Sequence, residues 1–147
     1  MVLYKEFLKS DIHPIVMNGI IYRQLYGEYC DHRPSGDEDI LIRKSEYKHA
    51  EKILVANGHI PENKNVTPAL LEDVQEITFY SGQTGLSIEV HINPIGHEYR
   101  WLRQLKDCFQ NVFMSCHEEI IDGVQVTTMG HTDPVSYTHL TLPTICS

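Results

Sequence analysis

Three consecutive acids, Asp37, Glu38 and Asp39, stand in the stretch RPSGDEDILI (residues 33–42), just ahead of the aliphatic run Ile40, Leu41 and Ile42. Charge at the mouth of a buried strand is unfavourable unless something binds it. In a strand, residues i and i+2 share a face, so Asp37 and Asp39 point one way and Glu38 the other. A second stretch, LSIEVHI (residues 86–92), sets Leu86, Ile88, Val90 and Ile92 on one face and Ser87, Glu89 and His91 on the opposite one. Were the two strands neighbours, a strand spacing of about 5 Å would bring Glu89 close to Asp37 and Asp39. Carboxylates gathered in this way repel one another: a pair about 4 Å apart costs roughly 4 kcal/mol at an effective dielectric of about 20. A divalent cation relieves that repulsion. Oxygen ligands suit Mg²⁺ or Mn²⁺, and the chemistry such an ion supports is phosphoryl or nucleotidyl transfer, through neutralised phosphate charge and a lowered pKa of the attacking hydroxyl. The plainer readings are a solvated GDED turn and an exposed Glu89 on a half-buried strand; carboxylate oxygens converging on one point would separate a metal centre from both.

The elements that must position these residues can be read from periodicity and punctuation. Residues 2–9 predict a short helix with Leu3, Phe7 and Leu8 on one side, ended by His13-Pro14. PIVMNG (residues 14–19) reads as a short buried strand closing in a glycine turn, and Ile21, Tyr22, Leu25 and Tyr26 predict a helix over residues 20–27. A polar link carrying Pro34 and Gly36 leads to the strand EDILIRK, residues 38–44. Ser45 as a cap, with Tyr47, Ala50, Ile53 and Leu54 at helical spacing, predicts a helix over 46–56 that Asn57-Gly58 closes. Residues 61–76 read as loop with one helical turn. EITFYS and LSIEVHI, joined by GQTG, predict an antiparallel hairpin; residues 99–109 predict a helix; and EEIIDGVQVTTM predicts a second hairpin turning at Asp122-Gly123. The sum is an α/β (α+β) fold, a mixed β-sheet with helices packed mainly on one face.

The 147 residues suit one domain, and 41% hydrophobic content with mixed charge indicates a folded chain. A formal net charge of −8 argues against a nucleic-acid-binding surface. No run of about 20 apolar residues is present, so no membrane span is expected. The N-terminal MVLYKEFLKSD lacks a signal-peptide core, and a cytoplasmic location is expected. Cys30, Cys108, Cys116 and Cys146 show no CxxC spacing. Zinc ligation by Cys108, Cys116 and His117 lacks the usual ligand spacing, and reduced thiols without a disulfide partner are the better reading. The stretch VSYTHLTLPT (residues 135–144) resembles the in-frame translation of a transposase-based sequencing adapter, and the same reading frame accounts for Pro134 and Ile145. Residues 1–133 are therefore expected to form the domain, 134–147 to be an artefactual tail, and a C-terminal part of the natural chain to be missing. Such truncation predicts exposed apolar surface and a fragment that is inactive or poorly soluble.

The pieces VMNGI, GDEDILI and IEVHI, in this order, resemble the polymerase-beta-type nucleotidyltransferase superfamily: a strand–Gly–helix turn, an acid-x-acid motif on the next strand and a third acid on a later one. More narrowly, NGIIYRQLY…R…GDEDILI…IEVHINPI is similar to the uncharacterised nucleotidyltransferase family called NTP_transf_5, found in many bacteria, over residues 15–133. The resemblance implies that Asp37 and Asp39 are metal ligands for Mg²⁺ or Mn²⁺, with Glu89 as third carboxylate, either ligand or base for the acceptor hydroxyl. It also implies a nucleotide-binding turn at Asn18 and Gly19, where glycine admits the triphosphate close to the backbone, with Gly36 and a phosphate contact from Arg33. A surface ion pair is the other role open to Arg33. Asn18 stands where related sequences have Lys, and Ile20 where the superfamily's turn continues with Gly or Ser. His91 shares the face of Glu89 and fits a structural hydrogen bond better than a substrate contact. The implied function is transfer of NMP from an NTP to an unknown acceptor hydroxyl. The alternative is a catalytically inactive nucleotidyltransferase fold serving as a nucleotide-binding or protein-interaction module.

Overall fold

The structure, a computed structural model, describes residues 2–17, 37–83, 85–93, 113–114 and 116–129. The helices expected over 20–27 and 99–109, the tail, and Asn18, Gly19, Arg33 and Gly36 lie outside the described residues.

Helix α1 (Val2–Lys9) buries Tyr4 and Phe7. It ends before His13-Pro14, because Asp11 takes a left-handed φ of 59° and turns the chain so that the Ile12 N–H donates back to the Phe7 carbonyl at 3.0 Å. Strand β1 (Ile15–Val16) follows, then β2 (Asp37–Leu41), which begins one residue earlier and stops three residues sooner than its hydrophobic pattern suggests. Its end is set by a 3-10 turn over Lys44–Glu46, in which the Glu46 carboxylate accepts the Arg43 backbone N–H at 2.9 Å. Ser45, expected to cap the next helix, is inside that turn and does not cap. Helix α2 (Tyr47–Ala56) buries Tyr47, Ala50 and Leu54, one turn apart on one stripe, and closes on Asn57 and on Gly58 at φ 83°. A strand that the sequence did not announce, β3 (His59–Pro61), follows the turn, and helix α3 (Pro68–Asp73) is the helical turn expected within residues 61–76. Thr67 caps α3 by accepting the Leu70 N–H at 3.2 Å, with proline at the first helical position. The expected hairpin is formed by β4 (Glu76–Ser81) and β5 (Ser87–His91), and the second by β6 (His117–Ile121) and β7 (Val124–Thr128). Asp122 and Gly123 both have positive φ, 50° and 72°, as a two-residue hairpin turn of the primed type requires.

The seven strands form one mixed sheet in the order β3-β4-β5-β2-β1-β7-β6. Strands β2 and β5 run parallel, as do β1 and β7; the other neighbours are antiparallel. The three α-helices among the described residues contribute Tyr4, Phe7, Tyr47, Ala50, Leu54 and Leu71 to one core. The same core takes Val16, Ile40, Ile42, Phe79, Ile88, Val90 and Val126 from the sheet. A smaller apolar cluster of Ile15, Met17, Leu41 and Met129, flanked by Phe113 and Cys116, lies apart from it. Among the described residues no helix is long and apolar enough to cross a membrane.

The phenol of Tyr4 joins α1 to the sheet, donating to the buried Pro14 carbonyl at 3.0 Å and accepting the Thr127 N–H at 2.8 Å. Removing it leaves two backbone groups short of a partner. Tyr4→Phe should therefore lower unfolding stability in urea by about 1–3 kcal/mol. A loss under about 0.5 kcal/mol, the scale of an ordinary surface change, would show that the phenol does not fasten the helix.

Candidate active site

Strand pairing alone assembles the polar face. Parallel pairing of β2 with β5 sets Asp37 opposite Ser87, Asp39 opposite Glu89 and Leu41 opposite His91. Antiparallel pairing of β4 with β5 sets Thr78 opposite Glu89 and Glu76 opposite His91. These residues alternate with Ile40, Ile88, Val90 and Ile77, which enter the helix-bearing core, so the polar set occupies the other face of the sheet. A one-residue slip of β5 would turn its aliphatic side chains out of the core, and their burial therefore fixes the register that aligns the carboxylates.

Burial deepens along the strands. Asp37 is exposed at the open end of β2, whereas Asp39 is 6% exposed and His91 1%. His91 lies between two carboxylates: its Nε2 is 3.8 Å from Asp39 Oδ1, and its Nδ1 is 3.4 Å from Glu76 Oε2. Asp39, Glu89 and His91 each bring one donor atom within 4.8 Å of the other two. Glu89 pays for its surroundings in acidity: burial above all, then the charges of Glu76 and Asp39 and a hydrogen bond with Asp39, raise its carboxyl from 4.5 to about 7, against the opposing pull of His91. The chain enters the site from β1, where the Met17 N–H donates to the Asp39 carbonyl at 2.9 Å.

Of the residues singled out from sequence, Asp39 and Glu89 are neighbours across the β2–β5 pair. Asp37 shares their face at the exposed end and stands outside the group of three. His91 takes the third position, at a spacing from Glu89 that the alternation already put on the same face. Glu76 was not singled out, since only the register of the β4–β5 hairpin reveals that it meets His91. Two carboxylates and an imidazole fit a divalent cation, since the donors are of the right kind and lie within 4.8 Å of one another.

A family model described as an uncharacterised nucleotidyltransferase matches residues 2–141, a span that takes in every strand and helix above and runs past the domain boundary expected at Asp133. No curated protein and no solved structure matches the chain.

The Glu89 shift has a sign that can be measured. A carboxyl whose folded pKa lies above its unfolded one holds its proton better when folded, so its contribution is full below about pH 4.5 and is lost as the pH rises through about 7. In metal-free urea titrations, Glu89→Gln should remove a loss of stability that the unaltered chain shows between those pH values. Divalent cation binding should strengthen over the same range and release a proton. Parallel pH profiles for the two proteins would contradict the assignment.

Proposed function

The chain belongs to the uncharacterised nucleotidyltransferase family, and from that premise we propose that it transfers NMP from an NTP to an acceptor hydroxyl at the Asp39–Glu89 site. The observation that supports this reading is the β2–β5 register, which sets the buried Asp39 directly opposite Glu89 with donor atoms within 4.8 Å. A divalent cation, Mg²⁺ or Mn²⁺, would supply neutralisation of phosphate charge and a lowered pKa of the attacking hydroxyl.

In this reading Asp39 and Glu89 hold the cation from adjacent strands. Asp37, exposed on the same face, would be placed to contact a cation carried by the triphosphate. Glu89, ionised once a cation neutralises the surrounding negative charge, is the residue able to take the acceptor's proton. The triphosphate falls to the segment that follows Met17: Asn18 and Gly19, where a missing Cβ admits phosphate to the backbone, with Gly36 and Arg33 as further contacts. Met17 itself is tied to β2 by its N–H, which donates to the Asp39 backbone carbonyl. A net charge of −8 makes RNA the least suited acceptor and leaves small molecules, sugar metabolites and proteins. An inactive fold of the same kind would have no use for a buried Asp39 facing Glu89, because burial and mutual repulsion oppose ionising both unless a cation is bound.

Calorimetric titration of ATP, GTP, CTP and UTP in the presence of Mg²⁺ or Mn²⁺ tests the reading. At least one nucleotide should bind in a metal-dependent way, and Asp39→Asn, which keeps the side-chain shape, should weaken that binding by at least the roughly 10–100-fold typical of altered metal-site residues. Equal binding by Asp39→Asn, or no metal-dependent binding to the unaltered chain, would move the function away from this site.

A further inference from the structure

We infer that His91 is a nitrogen ligand of the same centre, that Glu76 is its positioning residue, and that the site consequently favours a first-row transition dication over Mg²⁺; the inference rests on the metal-dependent reading above. Three adjacent strands present four polar side chains, two on β5 and one on either flank: Asp39 opposite Glu89 across β2 and β5, and Glu76 opposite His91 across β4 and β5. His91 is the most deeply buried of them, at 1% exposure, and it faces a different carboxylate with each ring nitrogen.

The two faces of the ring are not equivalent. Glu76 Oε2 lies 3.4 Å from Nδ1 and its side chain is 41% exposed, so it stands on the outer side of the ring and joins no group with Asp39 and Glu89. A carboxylate on the outer side of the ring, beside Nδ1, is the arrangement by which outer carboxylates orient histidine ligands. Nε2 is on the side of Asp39, 3.8 Å away, where the Glu89 donor also lies. Three ligands about 2.1 Å from a common ion and equally spaced around it are at most about 3.6 Å apart, so donor atoms within 4.8 Å of one another need side-chain shifts of up to about 0.7 Å each to share one ion. Mg²⁺ favours oxygen ligands alone; a nitrogen donor raises affinity for transition dications instead.

Mn²⁺ is the probe of choice, because pulsed electron paramagnetic resonance detects a directly bonded ¹⁴N. The Mn²⁺-loaded full chain should show ¹⁴N modulation of a coordinated imidazole, and His91→Gln should abolish it while Mn²⁺ still binds, about 10–100-fold more weakly. Glu76→Ala should alter the nitrogen coupling and weaken Mn²⁺ binding, and Glu76→Gln, whose carbonyl can still accept the Nδ1 proton, should restore much of both. Mn²⁺ bound without nitrogen coupling in the unaltered chain would overturn the inference and leave a carboxylate centre standing. Nitrogen coupling that survives in His91→Gln would overturn it too, by assigning another ligand. Absence of Mn²⁺ binding altogether would overturn both this inference and the function it rests on. Should His91→Gln fail to fold, the signal of the unaltered chain and its response to the two Glu76 variants decide the matter.

Discussion

The structure turns on one strand pair. Parallel alignment of β2 with β5 places Asp39 against Glu89, and nothing on the polar face could impose that alignment, since like charges opposite one another oppose it. It is imposed from the other side of the sheet. Ile40 on β2 and Ile88 and Val90 on β5, with Ile42 and Ile92 just past the two strand ends, are all buried in the helix-bearing core, and the alternation of a strand leaves their neighbours no choice of face. The apolar side of the fold thus supplies the energy that holds an unfavourable polar arrangement in place, a pattern familiar at functional sites.

The polar side shows the strain in chemical form. A carboxyl raised to about 7 is one whose ionised state is opposed by burial and by the neighbouring acids Glu76 and Asp39. His91, within ion-pair distance of both of those acids, opposes the upward shift of Glu89. The same imidazole is then available to a cation through the nitrogen turned to Asp39. The pairing of β4 and β2 on either flank of β5 gives each ring nitrogen its own carboxylate.

Much of this was legible in the amino-acid order. The alternation in LSIEVHI, the glycine-bearing gap before it and the Asp122-Gly123 turn each specify backbone geometry locally, and the two hairpins follow. Helix α2 was equally plain from the spacing of Tyr47, Ala50 and Leu54, though its start was not: Glu46 satisfies the Arg43 N–H, and Ser45 loses its capping role to a neighbour that bonds further back. Strand β3 carries no pattern in three residues ending in proline, and exists only because β4 offers it an edge. At the site, parity gave the face of Asp37, Asp39, Glu89 and His91 alike. Depth was hidden, because it depends on where each residue falls along the paired strands: Asp37 sits at the open end with Ser87, and His91 sits inside, level with Leu41. The role open to Glu76 depends on two registers at once and leaves no mark in sequence.

The central claim is that Asp39 and Glu89 converge on one cation. Crystals of the protein grown with Mn²⁺ and a non-hydrolysable NTP analogue, measured for anomalous scattering, test it most directly. The account predicts an anomalous peak within coordination distance of a carboxylate oxygen from each of the two residues, with the triphosphate against it. A peak elsewhere on the protein, or an Asp39–Glu89 pair that remains protonated and hydrogen-bonded with no ion beside it at saturating Mn²⁺, would contradict it.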